Sequence, residues 1–212
     1  MSISHLFFDV GGVLGTDGWS SPQRRKAVER FGLDPAEFEQ QHRDTVGTFE
    51  QGRMTLEEYL DATVFYRGRD FSREAFVEFM LAESRPHEAT IALARRLADT
   101  GKYRMMTLNN ESLELNRYRI ERFGLSEIFE AFFSSCWLGF TKPSRRIYEL
   151  ALGISQAVPE RAVFIDDRSP NLVPARALGM RTLHFTTCER LALELAALGV
   201  AHSTGKVKTP SG

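Results

Sequence analysis

The sequence predicts an α/β fold: a parallel sheet with helices on both faces, plus an inserted block of helices. Three observations carry that expectation. Short apolar runs recur along the chain. Helix-period patterns alternate with them over most of its length. One stretch, from about residue 20 to 86, carries helical patterns and no convincing strand.

The elements follow in order. Residues 3–10 form an apolar run halted by Gly11 and Gly12, which predicts a buried strand over 3–8 with Asp9 at its end. Helices are expected over 21–31, 35–44, 55–66 and 72–83. In the third, Leu56, Tyr59, Leu60, Thr63 and Val64 share one face, and Thr55 with Glu58 fits a capping box. The fourth groups Phe76, Phe79 and Met80. Further on, helices over 89–99, 111–123, 144–152, 170–178 and 187–198 alternate with strands at 103–108, 131–134, 162–165 and 181–185. Each of these helices meets a glycine (Gly101, Gly124, Gly153, Gly179 and Gly199), a residue that accepts the left-handed turn ending a helix. The expected organisation is a core from residues 1–15 and 87–202, an inserted helical lobe over 16–86, and a polar, disordered tail over 203–212.

Bulk properties narrow the function. The chain has 212 residues, 42% of them hydrophobic, enough for one core with a small second lobe. Charged residues make up 26% and the formal net charge is −1, so there is no basic field of the kind that binds nucleic acid. No run of 18 apolar residues suggests a membrane span. The opening MSISHLFFDV lacks the basic and apolar regions of a signal peptide, so a cytoplasmic location is expected. Cys136 and Cys188 lie far apart and read as free thiols. The five histidines never fall four apart, which argues against zinc.

Four fragments can carry chemistry. Asp9 ends a buried strand beside two glycines, where α/β folds bind ligands and where backbone can approach a ligand closely. By itself it could equally cap a turn. Asp166 and Asp167 end another strand, and two adjacent carboxylates are costly unless a cation neutralises them. With Asp9 and a backbone carbonyl they make an oxygen-rich set suited to Mg²⁺. Lys142, ahead of Pro143 and a helix, can deliver a point charge to a phosphate, although most such lysines are solvated. Asn109 and Asn110, again at a strand end, can donate to an anion or simply build a turn.

All four fragments sit at strand ends, so a parallel sheet would gather them on one edge. In chain order FFDVGGVL, TLNNES, KPSRRIYELAL and FIDDRSPNLVPARALGM resemble the four motifs of the haloacid dehalogenase-like (HAD) hydrolase superfamily. The resemblance spans residues 3–198. It implies a Rossmann-like sheet of order 3-2-1-4-5, with the inserted lobe as the α-helical cap of the C1 type. It also implies Asp9 as nucleophile and Mg²⁺ ligand, the Gly11 carbonyl as a further ligand, and Asp167 as the acidic ligand. Asp166 would hold a metal-bound water or the lysine. Lys142 would neutralise Asp9 and the phosphate. Asn109 would take the family's Ser/Thr position, with Asn110, Gly11 and Gly12 also at the phosphate.

Two departures stand out. Family phosphatases usually carry a second aspartate two residues after the nucleophile, to protonate the leaving oxygen; here Gly11 makes the motif Asp-x-Gly. General acid–base help is worth about 10²–10⁴ in rate, so a weak enzyme is expected unless Asp17, Glu50, Glu57 or Glu58 substitutes. Asn109 in place of Ser/Thr alters the phosphate contact. The leading expectation is a Mg²⁺-dependent phosphatase of a small phosphorylated metabolite such as a sugar phosphate. The alternatives are a 2-haloacid dehalogenase, with Asp9 attacking carbon, and a binding protein that kept the fold and lost turnover. The cap aromatics (Phe38, Phe49, Tyr59, Phe65, Tyr66, Phe76 and Phe79) read as core, and Arg43, Arg53 and Arg67 as candidates for a second anionic group.

Overall fold

The computed structural model describes residues 2–201; the tail expected over 203–212, and residue 202 of the expected core, lie outside the described residues. The chain begins with β1 (His5–Phe8), then passes through α1 (Ser21–Phe31), α2 (Pro35–Glu50), α3 (Leu56–Thr63) and α4 (Arg73–Ala82). It returns through α5 (Glu88–Ala98) to β2 (Arg104–Asn109), α6 (Leu113–Arg122), β3 (Ala131–Ser134) and a short α7 (Ser135–Leu138). The remainder is α8 (Arg145–Ser155), β4 (Ala162–Asp166), α9 (Ser169–Ala177), β5 (Arg181–His184) and α10 (Cys188–Ala197).

The five strands form one parallel sheet in the order β3-β2-β1-β4-β5. Phe8 pairs with Thr107 on one side and Ile165 on the other, so the strand ends carrying Asp9, Asn109 and Asp166 come to one edge. The strand order reverses between β1 and β4, which makes the crevice there a ligand-binding position. Successive residues of β1 face opposite layers. Leu6 and Phe8 join Leu93, Leu97 and Leu191 of α5 and α10, whereas Phe7 joins Tyr148 and Leu172 of α8 and α9. Burial on both faces explains why these strands read as continuous apolar runs.

The four inserted helices pack around a separate cluster in which Trp19, Phe38, Phe49, Tyr59 and Phe76 are buried. Phe49 stacks on Tyr59 with ring centroids 4.3 Å apart. Of the seven cap aromatics only Tyr66 is exposed. The two linkers run side by side: Thr16 N–H donates to the Arg85 carbonyl at 2.9 Å, and His87 N–H to that of Leu14 at 2.9 Å.

Several boundaries differ from the sequence expectation. Helix α2 runs six residues past the expected end at 44, to Glu50, because buried Phe49 needs helical spacing from Phe38 and His42. The stop expected at Gly153 does not occur: α8 continues to Ser155, and Gln156 takes the left-handed conformation at φ 56° instead. Helix α7 was not legible at all, being a single turn.

Candidate active site

Asp9 follows β1 directly, and its N–H still donates to the Ile165 carbonyl at 2.9 Å. That bond fixes the backbone, and the Val10 N–H fixes the side chain by donating to Oδ1 at 2.8 Å. Lys142 reaches the same edge from the loop before α8. Its Nζ lies 2.8 Å from Asp9 Oδ1 and 2.7 Å from Asp166 Oδ2, and the ammonium is buried. Asn110 holds the lysine in place from behind: its Oδ1 accepts from the Lys142 N–H at 2.7 Å, and its Nδ2 donates to the Lys142 carbonyl at 2.9 Å.

Asp166 is fully engaged. Besides the lysine, its Oδ1 accepts from the Arg168 N–H at 2.8 Å and from Asn171 Nδ2 at 3.0 Å. Asp167 differs: its Oδ1 is buried and has no hydrogen-bond partner among the described residues. Gly12, at φ +74°, lets that carboxyl lie against the turn after Asp9, where any Cβ would collide with it. Oxygens of Asp9, Asp166 and Asp167 all come within 4.8 Å of one another. Three carboxylates thus face one ammonium. Burial raises the Asp9 pKa well above the usual carboxylate range, the negative charges of Asp166 and Asp167 add to it, and Lys142 opposes. Burial, Asp166 and Asp17 raise that of Asp167. Burial works against the Lys142 charge too, but Asp9 and Asp166 outweigh it and hold the lysine protonated. A buried, unpartnered carboxylate oxygen in an anion-rich cluster is the donor set a hard divalent cation takes, so the residues present fit Mg²⁺.

The cluster opens into a cavity of about 430 Å³ between the sheet edge and the inserted helices. Asp9, Gly11, Asn110, Lys142, Asp167 and Asn171 line it from the sheet side, Trp19, Arg24, His42, Phe49 and Glu50 from the cap side. Arg24 is occupied there by a two-pronged ion pair with Glu39, at 2.8 and 2.9 Å. His42 Nδ1 lies 2.8 Å from the Tyr59 hydroxyl, which also accepts from Trp19 Nε1 at 2.9 Å. An indole N–H only donates, so the tyrosine proton is left for an unprotonated Nδ1. Burial pushes the His42 pKa down to about 4, in keeping with a neutral ring.

Asn109 is not brought to the cavity wall. Its Nδ2 donates to Asn116 Oδ1 at 3.1 Å and its Oδ1 accepts from Ser134 Oγ at 2.8 Å, so both ends of the amide are spent inside the core. The direct phosphate contact expected of this side chain therefore has no support here. Arg43, Arg53 and Arg67 are likewise absent from the wall; Arg67 instead pairs with Glu37. Glu58 is spent on the capping box, and Glu57 also lies off the wall, whereas Asp17 and Glu50 are on it.

Arg119 escaped the sequence reading. It projects from α6, is buried, and donates to the Thr16 carbonyl at 2.7 Å and to Ser84 Oγ at 3.1 Å. Its Nη1 pairs with Glu111 at 3.3 Å and lies 3.6 Å from where a Cβ on Gly11 would sit. A lone arginine among the charges of an amphipathic helix gives no sequence signal of this kind. Arg168, also on the wall, lies within the quoted acidic motif but was given no role there.

A parallel sheet of this order, helices inserted after the first strand and acidic residues meeting a lysine at the strand ends together define a hydrolase class. The chain belongs to the haloacid dehalogenase-like hydrolase family, whose profile matches residues 3–179. It is 27% identical over 203 residues to pig (Sus scrofa) bifunctional epoxide hydrolase 2, covering 86% of this chain and 36% of that protein. The chain thus spans about a third of that relative. It is 30% identical over 159 residues to flavin mononucleotide hydrolase 1 of Arabidopsis thaliana, covering 75% of this chain and 64% of that one. Among solved structures, a HAD family enzyme of Bacteroides thetaiotaomicron in complex with magnesium and inorganic phosphate superposes with a TM-score of 0.71. The match is at 20% identity, over 87% of this chain and 95% of that one.

Proposed function

We propose that the protein is a Mg²⁺-dependent phosphatase of a small phosphorylated metabolite, working through an aspartyl-phosphate on Asp9. One observation carries the reading: a buried lysine bridges Asp9 and Asp166 while a buried oxygen of the Asp167 carboxylate beside them has no hydrogen-bond partner among the described residues. A dehalogenase attacking carbon has no use for that surplus of negative charge. The magnesium and phosphate bound by the Bacteroides structure, and the phosphate ester that names the Arabidopsis relative, point the same way.

In this reading Asp9, Asp167 and the Gly11 carbonyl hold Mg²⁺, which when bound supplies positive charge against the phosphate oxygens. Asp9 attacks phosphorus in line with the leaving oxygen. Lys142 keeps Asp9 ionised and placed, and its ammonium faces charge developing on the transferred group. Asn110 fixes the lysine, Asp166 orients its ammonium, and the N–H groups of Gly11 and Gly12 close on the phosphate. Water then hydrolyses the aspartyl-phosphate. The polar cavity wall, with Ser20, Ser21, Glu50 and Glu111, suits a hydroxylated substrate such as a sugar phosphate.

A panel of phosphate esters assayed with Mg²⁺ and with EDTA tests the proposal. Turnover is expected only with the metal, and Asp9→Asn is expected to abolish it. Hydrolysis that survives EDTA or Asp9→Asn would defeat the reading. Chloride release from 2-chloropropionate would replace it with the dehalogenase.

A further inference from the structure

We propose that Glu50, presented by the cap, is the acid and base that the Gly11 position lacks; this rests on the phosphatase reading and goes one step beyond it. Glu50 is the last residue of α2 and lines the same cavity as Asp9 and Lys142. Its location is fixed by core residues. The Glu50 carbonyl accepts from Ser135 Oγ at 2.6 Å, and Ser135 Oγ in turn accepts from the Glu111 N–H at 3.0 Å. Two residues on, Gly52 adopts φ +68°, and any Cβ there would collide with the Cys136 carbonyl. The turn after α2 is therefore seated flush on α7, at the strand-end edge that carries the site.

Among the described residues, no hydrogen bond or ion pair holds the Glu50 carboxyl, so its proton is available to a ligand in the cavity. The charged groups facing the same space are Glu111 and Arg119 from the α6 side, and Lys142 and Arg168 from the loops after β3 and β4. Arg24 comes from α1, Asp17 from the linker, His42 from α2 itself, and Asp9 and Asp167 from the sheet edge. Burial and the Glu111 carboxylate push the Glu50 pKa up to about 7, against Arg168, Lys142 and Arg24. A group that titrates near the working pH both gives and takes a proton most effectively.

The chemistry balances in two steps. As the Asp9 Oδ–P bond forms and the ester P–O bond breaks, the Glu50 O–H proton passes to the leaving oxygen, and the alcohol departs neutral. The Glu50 carboxylate then takes a proton from water as the water oxygen attacks phosphorus. The Asp9–P bond breaks, phosphate leaves, and Glu50 is protonated again.

An alkyl and an aryl ester separate this role from a structural one, because p-nitrophenolate leaves without a proton and a sugar alkoxide does not. With Mg²⁺ present, Glu50→Gln is expected to lower kcat for ribose 5-phosphate about 10²-fold. The loss for p-nitrophenyl phosphate is expected to be far smaller. The fall in alkyl-ester turnover above pH 7 should disappear from the variant's profile, and Glu50→Asp should recover part of the loss. Equal loss on both esters overturns the assignment of Glu50 while leaving the phosphatase reading intact. So does a leaving-group-dependent loss in Asp17→Asn that Glu50→Gln does not show. A wild-type protein that cleaves only the aryl ester has no working acid, which also overturns it. Inertness toward both esters removes the phosphatase reading and this proposal together.

Discussion

Lys142 concentrates the electrostatics of the site. Its ammonium is buried between Asp9 and Asp166, and Asp167 stands close by with one buried oxygen unpartnered among the described residues. Removing one partner of a buried ion pair leaves the other charges uncompensated, at a cost of about 3–5 kcal/mol. Lys142→Met is therefore expected to destabilise the metal-free protein by about that much, measured by urea denaturation in EDTA. Adding Mg²⁺ should recover more stability in the variant than in the wild type, since the cation then meets carboxylates that have lost the ammonium bridging two of them. Lys142, in the loop before α8, was placed only through the family resemblance, whereas the acidic pair was legible from residue type and strand-end position. Asn109 was not: its strand-end position was clear, but Ser134 and Asn116, the partners that draw its amide into the core, lie 25 and 7 residues away.

The helices show where local sequence rules hold and where packing overrides them. The central strands β1, β2 and β4 were legible because burial on both faces leaves largely apolar runs, whereas the edge strand β5 is exposed at both ends and only half-buried between. Sheet order came only through the resemblance, since periodicity says nothing about which strands are neighbours. Thr55 and Glu58 form the expected capping box, because that motif is local. Helix ends depend on tertiary contacts: Phe49 carries α2 onward, and Ile147, Tyr148, Ala151 and Leu152 anchor α8 strongly enough to run through Gly153. Gly153 is exposed, with nothing within 4 Å of where a Cβ would point. Its flexibility therefore works against the helix without serving any contact. Gly153→Ala is expected to stabilise the protein by about 0.5–1 kcal/mol, visible as a higher Tm with unchanged turnover.

At the scale of the whole molecule, the cavity at Asp9 lies where the inserted helices meet the sheet edge. That seam has a few specific fastenings: the Ser135 hydroxyl on the Glu50 carbonyl, Glu114 accepting from the Leu56 N–H at 3.1 Å, and Gly52 flush against Cys136. Gly52→Ala puts a methyl group into the Cys136 backbone at a positive φ, and the seam must part to take it. The expected outcome is a raised KM and a lowered kcat for the same esters, with the magnesium affinity proposed for the Asp9 and Asp167 carboxylates unchanged. Isothermal titration with Mg²⁺ alongside steady-state kinetics would separate the two.

Arg119 gives the opposite side of that seam a particular character. One flat guanidinium group holds the outgoing linker at Thr16 and the incoming linker at Ser84, and rests beside the turn that follows Asp9. Entry and exit of the insertion are thus cross-tied twice over, by one buried guanidinium and by the backbone bonds from Thr16 to Arg85 and from His87 to Leu14, so strain on either linker is shared with the turn beside Asp9.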